Sequence, residues 1–169
     1  MIQKAKSLSI IKIGGNIIDN ANELNQFLSN FSKIEGYKVL VHGGGKSATK
    51  MAESIGLIPQ MIDGRRITDA PMLDVVVMIY AGQINKNIVA QLQANNTNAM
   101  GFSGADGNLI QSTKRNHPTI DYGGVGDVQK GNIPVLETLL SNGSVPVFCA
   151  ITHDGKGQLL NTNADSIAS

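Results

Sequence analysis

The sequence predicts an α/β fold built around a mainly parallel sheet. Two apolar runs, at residues 8–13 and 38–41, both stop at glycines, and residues with helical spacing follow each of them. Strands that are buried in a parallel sheet have continuous apolar sequences, and the helices that connect such strands alternate with them along the chain. The first third of the sequence is therefore predicted to have the order β-α-β-α.

The second apolar run leads through His42 to three consecutive glycines, Gly43, Gly44 and Gly45. Glycines let an anion approach main-chain N–H groups, and a helix that begins there directs its positive end at the same point. A sharp strand-to-helix turn without a ligand would use the same residue type. Three glycines directly after a buried strand favour a binding site for an anion.

The two common phosphate-binding motifs do not fit these glycines. Gly45-Lys46-Ser47 resembles the end of a P-loop, but the first glycine of that motif would fall at Leu40, inside the strand. No G-x-G-x-x-G sequence follows a predicted strand. Neither standard nucleotide-binding loop is predicted.

Composition limits the classes of function. The 169 residues are 41% hydrophobic, which suits a single domain or one large lobe, and a net charge of +1 without a Lys/Arg block argues against nucleic acid. The only cysteine, Cys149, excludes an internal disulfide and a cysteine-based metal cage, and it fits a cytoplasmic protein. Residues 1–13 are too short and too polar for a signal peptide or membrane span, so we expect no membrane partner.

Two amphipathic helices are predicted to flank the second strand. Asn20 and Glu23 form a capping pair for the first helix, which ends near Gly36. Gly56 is predicted to end the second helix with a left-handed cap. The apolar faces consist of Leu24, Phe27, Leu28 and Phe31 in the first helix and Ala48, Met51, Ala52 and Ile55 in the second.

Asp63-Gly64 predicts a β-hairpin within residues 57–68, and Arg65 and Arg66 follow the turn directly. A hairpin that crosses the strand ends would bring one of these arginines close to the glycines. The other is expected to be solvated, as most surface arginines are.

A long helix is predicted from Pro71 to about Asn95, with Thr68 or Asp69 as its cap. Its apolar surface is wider than one packing face needs. Either a subunit contact or burial between the protein's own sheet and a flap would explain this width, and both remain open. The apolar residues are Met72, Val75, Val76, Val77, Ile79, Tyr80, Ile84, Ile88 and Leu92.

The second half of the chain repeats the β-α-β order. A helix begins at Ile133-Pro134 and ends at Gly143, Asp154-Gly155 marks a hairpin, and residues 114–126 form a glycine-rich stretch without a predicted element. Strands are predicted at residues 99–102, 109–113 and 145–151. Residues 161–166 open a further helix close to the last residue, so we expect the chain to be incomplete.

Four sequence segments resemble the amino acid kinase family in order and separation along essentially the whole chain. Within that family the resemblance is to the branch that phosphorylates N-acylated glutamate. It implies a three-layer α/β/α sandwich around a mainly parallel, eight-stranded sheet, with residues 1–169 as one domain that stops before the carboxyl-terminal ATP-binding part. The segments are Ile11-Lys12-Ile13-Gly14-Gly15, Val41-His42-Gly43-Gly44-Gly45, Gly64-Arg65-Arg66-Ile67-Thr68 and Gly157-Gln158-Leu159-Leu160-Asn161-Thr162-Asn163-Ala164-Asp165.

This resemblance also implies an activity. Members of the branch use ATP and Mg²⁺ to convert the γ-carboxylate of N-acetyl-L-glutamate, or of a related N-acylglutamate, to an acyl phosphate in cytoplasmic arginine biosynthesis. Because the residues before the first strand are too few for the amino-terminal helix of arginine-inhibited hexamers, the resemblance implies a homodimer insensitive to arginine, formed through the helix at 71–95. The alternatives are an aspartate or carbamate kinase, or a non-catalytic sensor of an acylated amino acid.

The resemblance assigns the residues of the phosphoryl-transfer site. Lys12 would neutralise charge on the transferring phosphoryl group, Gly14 and Gly15 would supply backbone donors, and Asp165 would orient Lys12 and a second catalytic lysine beyond this sequence. A cation inside an apolar strand is difficult to explain structurally, so Lys12 is a functional candidate in its own right. Asp165 would also suit a first helical turn without any catalytic role.

The resemblance likewise assigns a substrate site. Gly44 and Gly45 would hold the acylglutamate, Arg66 would bind its α-carboxylate, and Asn161 would bind it from the other side. By residue type alone, Arg66 could be a solvated hairpin charge and Asn161 a turn residue. The three histidines lack metal-ligand spacing, so no metal site is predicted, and His42 is expected to pack or to bond a loop.

Overall fold

The computed structural model describes residues 7–62 and 64–169. Residues 1–6, which we expected not to form a signal peptide, and Asp63 of the predicted hairpin turn lie outside this range. In the described part of the chain, no helix is long and apolar enough to span a membrane.

The first third of the chain has the predicted order β-α-β-α, while strands follow one another directly at the hairpins and in the last third. The strands are β1 (Leu8–Ile13), β2 (Tyr37–His42), β3 (Met61–Ile62), β4 (Arg65–Arg66), β5 (Ala99–Phe102), β6 (Ile110–Lys114), β7 (Val125–Gly131), β8 (Val145–Cys149), β9 (Ile151–His153) and β10 (Leu159–Thr162). The helices are α1 (Gly15–Ile18), α2 (Ala21–Ser32), α3 (Gly45–Ser54), α4 (Ala70–Val77), a π-helical segment (Met78–Ile84), α5 (Asn85–Ala94), a short 3₁₀ turn (Asp106–Asn108), α6 (Ile133–Ser141) and α7 (Ala164–Ala168).

A parallel sheet with the strand order β1-β2-β8-β5 forms the centre of the fold. The chain crosses this sheet in one direction from β1 to β5 and returns through α6 to β8. Because such crossovers are right-handed, α2 and α5 lie on one face and α6 on the other. Contacts between α2 and α5 and between α6 and β8 agree with this arrangement. The predicted α/β/α layering is confirmed.

A small closed barrel stands beside the sheet, with the order β10-β7-β6-β9. The eight-stranded sheet that the resemblance implied is not formed by the described residues, since four of their strands enter the sheet and four enter the barrel. One predicted strand, at residues 145–151, is in fact two strands that belong to these different units. The chain bends at Ala150, and both parts are buried, so the apolar run gave no sign of the bend.

A strand that the sequence analysis missed, β7, begins at the end of the glycine-rich stretch. β7 pairs antiparallel with β6 and parallel with β10. Its second half is polar and exposed, so it lacks the apolar alternation that predicts a strand. Pairing with neighbours distant in sequence, rather than local propensity, stabilises it.

Both ends of α2 are capped. Asn20 Oδ1 accepts hydrogen bonds from the backbone N–H groups of Asn22 and Glu23, which confirms the predicted cap. At the other end the buried Lys38 donates from Nζ to the carbonyls of Phe31, Ser32 and Ile34 at 3.1, 2.7 and 3.0 Å. A cation suits the negative end of the helix dipole, so Lys38 ties α2 to β2.

The predicted face of α3 is only half correct. Ala48 and Ala52 are fully buried, but Met51 and Ile55 are 37% and 56% exposed. A short helix that packs through two alanines lies close to its neighbours, and the longer side chains beside them remain at the surface. Gly56, with φ of 81°, follows the helix as predicted.

The long helix contains a π-helical segment that widens its apolar surface. A π turn adds residues to each turn and so realigns the side chains that follow it with those that precede it. Ile84, Ile88 and Leu92 are therefore buried together with the first apolar group. Packing inside the chain accounts for the wide apolar surface, while Met78 is 56% exposed. The homodimer stays a prediction.

The His42 side chain at the end of β2 is fully buried and neutral. Burial lowers the pKa of its imidazole from 6.5 to about 4, with a smaller contribution in the same direction from the Lys86 cation, while a hydrogen bond to the Gly43 carbonyl opposes the shift. His42 thus bonds the following loop, as the sequence analysis expected.

Acidification should destabilise the protein through His42. As the pH falls below about 6.5, the unfolded chain binds a proton that the folded protein excludes until about pH 4. Stability present above pH 6.5 should therefore decrease by about 3 kcal/mol across this window. Urea unfolding of the complete gene product over this pH range measures the slope.

The His42→Asn variant should show a flatter pH dependence over the same window. The carboxyls with lowered pKa values, Asp121, Asp127 and Asp154, do not interfere, because their stability is lost only as the pH falls below their ordinary value of 3.8. An unchanged slope in His42→Asn would contradict the assignment to His42.

Candidate functional site

A cleft of about 490 Å³ lies at the carboxyl ends of β1 and β2. These strands pair in parallel with Lys12 opposite Val41 and Ile13 opposite His42. The glycine turns that follow the two strands consequently stand side by side and line the same cleft. The two parallel strands predicted from the apolar runs, each followed by glycines, are confirmed.

The cleft brings together every residue that the sequence analysis assigned to a site. They come from four separated segments of the chain and are Lys12, Gly14, Gly15, Gly44, Gly45, Arg66, Asn161 and Asp165. Their proximity is a property of the fold, whereas their roles stay predictions.

Lys12 and Asp165 form an ion pair across the cleft, with 2.8 Å between Nζ and Oδ1. Asp165 occupies the first turn of α7, whose cap is the Asn163 side chain. Lys12 is not the buried ammonium that the apolar sequence indicated, because its side chain is 31% exposed. β1 is an edge strand of the sheet, so every second residue of β1 faces away from the core.

Arg66 is held beside the glycine turn by the β3–β4 hairpin. Its Nη2 donates to the Gly45 carbonyl at 2.9 Å and to Thr49 Oγ1 at 2.7 Å, and the residue is 9% exposed. Arg65 is exposed, so the expectation of one solvated and one inward arginine is confirmed. Within residues 7–62 and 64–169, no carboxylate forms a salt bridge with Arg66. The guanidinium is therefore a buried cation suited to an anionic ligand.

Only glycine fits at position 44. A Cβ there would overlap Ile84 Cδ1 and stand 3.1 Å from the Tyr80 ring, both in the π-helical segment. At Gly14 and Gly43 a Cβ would meet nothing within 4 Å. Gly44 is thus required for packing, while the open space at Gly14 and Gly43 lets a ligand reach the backbone.

Asn161 lies in β10 at the far wall of the cleft. Its Nδ2 donates to Thr68 Oγ1 at 3.1 Å, and its backbone N–H donates to the Gly124 carbonyl at 2.8 Å. The bond to Thr68 connects the barrel to the segment between the hairpin and α4. Asn161 is therefore part of a paired strand, and not the turn residue that its type suggested.

Sequence reasoning missed two further residues that line the cleft, Tyr80 and Arg115. Tyr80 was assigned only to an apolar stripe, and burial raises the pKa of its hydroxyl. Arg115 belongs to the stretch that matched no element, and it forms a bidentate ion pair with Asp127. This hydrogen bonding raises the pKa of Arg115 and lowers that of Asp127. The sequence has no local signal that places Arg115 at the cleft, because its position depends on the pairing of β6 with β7.

The charge of the cleft favours anions. Its described lining residues include four cationic side chains, Lys12, Arg65, Arg66 and Arg115, and a single carboxylate, that of Asp165. Clefts lined by one sign of charge concentrate ligands of the opposite sign. Together with two glycine turns, this composition suits a ligand that carries several negative charges.

Curated proteins resemble the chain along nearly its whole length. The proteins named acetylglutamate kinase from Phocaeicola vulgatus and Bacteroides fragilis are 56% and 54% identical to it over 96% and 99% of its residues. A protein of the same name from Methanopyrus kandleri is 38% identical over 95% of the chain. The chain spans 63% and 65% of the length of the first two relatives, slightly less than two thirds.

Solved structures share the fold. The smu.665 protein from Streptococcus mutans UA159 superposes with a TM-score of 0.83 at 26% identity, over 95% of this chain and 65% of that one. N-acetylglutamate synthase from Neisseria gonorrhoeae, solved with coenzyme A and N-acetyl-glutamate, superposes with a TM-score of 0.81 at 20% identity, over 98% of this chain and 38% of that one. The second likeness concerns the fold alone.

A family model supports the same conclusion. The model of the amino acid kinase family matches residues 7–169, which is nearly the entire chain. The parallel sheet, the paired glycine turns and the cationic cleft all lie within the matched residues. The chain belongs to the amino acid kinase family.

Proposed function

We propose that this chain is the amino-acid-binding part of an enzyme that phosphorylates the γ-carboxylate of N-acetyl-L-glutamate, or of a related N-acylglutamate, in arginine biosynthesis. The observation that carries the proposal is the buried Arg66 guanidinium, which lies beside the Gly44–Gly45 turn without a carboxylate partner among the described residues. Relatives named acetylglutamate kinase support it.

The chemistry of such a reaction fits the residues of the cleft. A γ-carboxylate has an ordinary pKa near 4.3, so the nucleophile is ionised at neutral pH and needs no general base. One carboxylate oxygen bonds to the γ-phosphorus, the bond to the bridging oxygen breaks, and ADP leaves with that electron pair. The obstacle is repulsion between two anions, which fixed cations and oriented N–H groups reduce.

Lys12 is suited to neutralise the transferring phosphoryl group. Its partial exposure lets a ligand reach Nζ, and the ion pair with Asp165 fixes the position of the ammonium. The open space at Gly14 suits the approach of phosphate oxygens to the backbone, so Gly14 and Gly15 are the residues that would hold this group. ATP, bound with Mg²⁺, would supply the phosphoryl group.

Arg66 is suited to bind the α-carboxylate of the substrate. Contacts with Gly45 and Thr49 use Nη2 and keep the guanidinium plane in place. A charge-assisted hydrogen bond between the guanidinium and a carboxylate, sheltered from water, contributes on the order of 1.5–3 kcal/mol. Gly44 and Gly45 would bind the same substrate through backbone N–H groups, and Asn161 would approach it from the barrel side.

A substrate panel tests the proposal against its alternatives. The complete gene product would receive MgATP with N-acetylglutamate, other N-acylglutamates, aspartate or carbamate, and ADP release would be measured. We expect the highest kcat/KM with an N-acylglutamate. Faster reaction with aspartate or carbamate would support another kinase of this fold. Binding of an acylglutamate without turnover would support a non-catalytic sensor. Gel filtration with light scattering tests the expected homodimer.

Lys12→Ala should lower kcat by about a hundredfold or more, because the charge that it neutralises develops on the transferring group. The KM for the acylglutamate should change little. Steady-state kinetics of the complete gene product measure both values. Lys156→Ala, which removes an exposed lysine from the β9–β10 turn, is the matched control. Equal effects of the two substitutions on kcat would exclude this role for Lys12.

Arg66→Ala should act mainly on binding, raising the KM for the acylglutamate by roughly tenfold to a hundredfold. The kcat should decrease much less. Arg66→Lys retains the charge but loses the planar fork, so it should recover only part of the affinity. If Arg66→Ala instead leaves the KM unchanged, Arg66 does not bind the substrate carboxylate.

A further inference from the structure

A buried hydrogen-bonded pair, His42 and Asn85, stands directly behind the glycine turn. His42 is 0% exposed and Asn85 is 1% exposed. His42 Nδ1 lies 2.8 Å from the Gly43 carbonyl oxygen, and His42 Nε2 lies 3.0 Å from Asn85 Nδ2. Neither side chain lines the cleft. Buried polar groups of this kind are costly unless every hydrogen bond is made, so their placement needs an explanation.

The contacts around Asn85 fix the orientation of its amide. Its Nδ2 also donates to the Val147 carbonyl at 2.9 Å, and its Oδ1 accepts from Lys86 Nζ at 3.1 Å. In the reversed orientation the amide nitrogen would face the Lys86 ammonium, and the amide oxygen would face the Val147 carbonyl, so neither hydrogen bond could form. The amide nitrogen therefore faces His42, and it can only donate.

This orientation in turn fixes the proton on His42. Nε2 must accept the hydrogen bond from Asn85, and the Gly43 carbonyl can only accept, so Nδ1 must carry the single proton. Protonation of Nε2 would place two N–H groups against each other. The low pKa of His42 agrees with this neutral form.

The peptide that follows is the one that borders the cleft. All peptide bonds of the described residues are trans, so the Gly43 carbonyl and the Gly44 N–H point in opposite directions. Once His42 holds the carbonyl on the buried side, the N–H must face away from the core, on the side where Gly44 lines the cleft. Tyr80 and Ile84, packed against Gly44, restrict the same turn from the π-helical segment.

We propose that His42 and Asn85 are positioning residues, which orient the Gly43–Gly44 peptide so that its N–H is presented to the bound acylglutamate. This inference rests on the proposed function for the identity of the ligand. Asn85 acts through His42 by fixing its tautomer, and His42 acts through the Gly43 carbonyl. Neither residue contacts the substrate.

Two substitutions of His42 separate its two hydrogen bonds. The amide nitrogen of Asn stands at the same number of bonds from Cα as Nδ1, so His42→Asn retains a donor for the Gly43 carbonyl. The side-chain oxygen of Gln corresponds to Nε2, so His42→Gln retains the acceptor for Asn85 but loses the donor. We expect His42→Gln to raise the KM for N-acetylglutamate about tenfold and His42→Asn to raise it less than about threefold. The kcat should change less than the KM in both.

Asn85→Leu and Lys38→Met complete the comparison. Asn85→Leu releases the ring, so it should raise the KM, and its effect should add little to that of His42→Gln, because both act on one peptide. Lys38→Met removes a buried polar group at the opposite end of β2 and should lower stability without changing the KM. Thermal unfolding of each variant shows whether the protein is folded. Equal KM values for His42→Asn and His42→Gln at similar stability would overturn the inference.

A spectroscopic measurement does not depend on the substrate. Nitrogen-15 NMR of the imidazole should show protonated Nδ1 and unprotonated Nε2, and the Gly44 amide resonance should shift in His42→Gln but stay near its original position in His42→Asn. An Nε2–H tautomer, or an unmoved Gly44 resonance in His42→Gln, would overturn the positioning role. If the complete gene product does not phosphorylate N-acetylglutamate, the proposed function fails, and this spectroscopic result still decides the role of His42.

Discussion

The parallel pairing of β1 with β2 is the constraint on which the site depends. The register places Lys12 beside Val41, so each strand ends in a glycine turn at the same height of the sheet. A shift of one residue would turn the Lys12 side chain to the opposite face, away from Asp165. Backbone hydrogen bonds stabilise the pairing of the two strands, and the buried side chains of β2 select this register.

The cleft joins residues from the sheet, the hairpin and the barrel, and each supplies a different kind of group. The sheet contributes Lys12 and the glycine backbone, the hairpin contributes Arg66, and the barrel contributes Asn161 and leads to Asp165. Most of these groups are held by contacts inside the protein before any ligand binds. Such preorganisation reduces the free energy that a ligand would spend on ordering the site.

Local sequence signals predicted most of the elements, because strands in a parallel sheet and capped helices have strong local patterns. β1, the Asn20 cap and the arginine hairpin are examples. The misses have physical causes that lie outside local sequence. Exposure of Lys12 follows from the edge position of β1, the strand β7 follows from pairing with distant partners, and the break at Ala150 lies inside a uniformly buried run. The position of Arg115 at the cleft could not be predicted either, since that position depends on where β6 ends.

The break at Ala150 has a mechanical consequence. β8 belongs to the sheet and β9 to the barrel, with one residue between them. So short a connection leaves few torsions to absorb a rotation, and the Ala150 carbonyl is also bonded to the Thr162 N–H of the barrel. Sheet and barrel must therefore move as a unit, and the two halves of the cleft cannot separate at this junction. A ligand of different size therefore cannot be accommodated by opening the cleft at Ala150, and the wall that sheet and barrel share there is stiff.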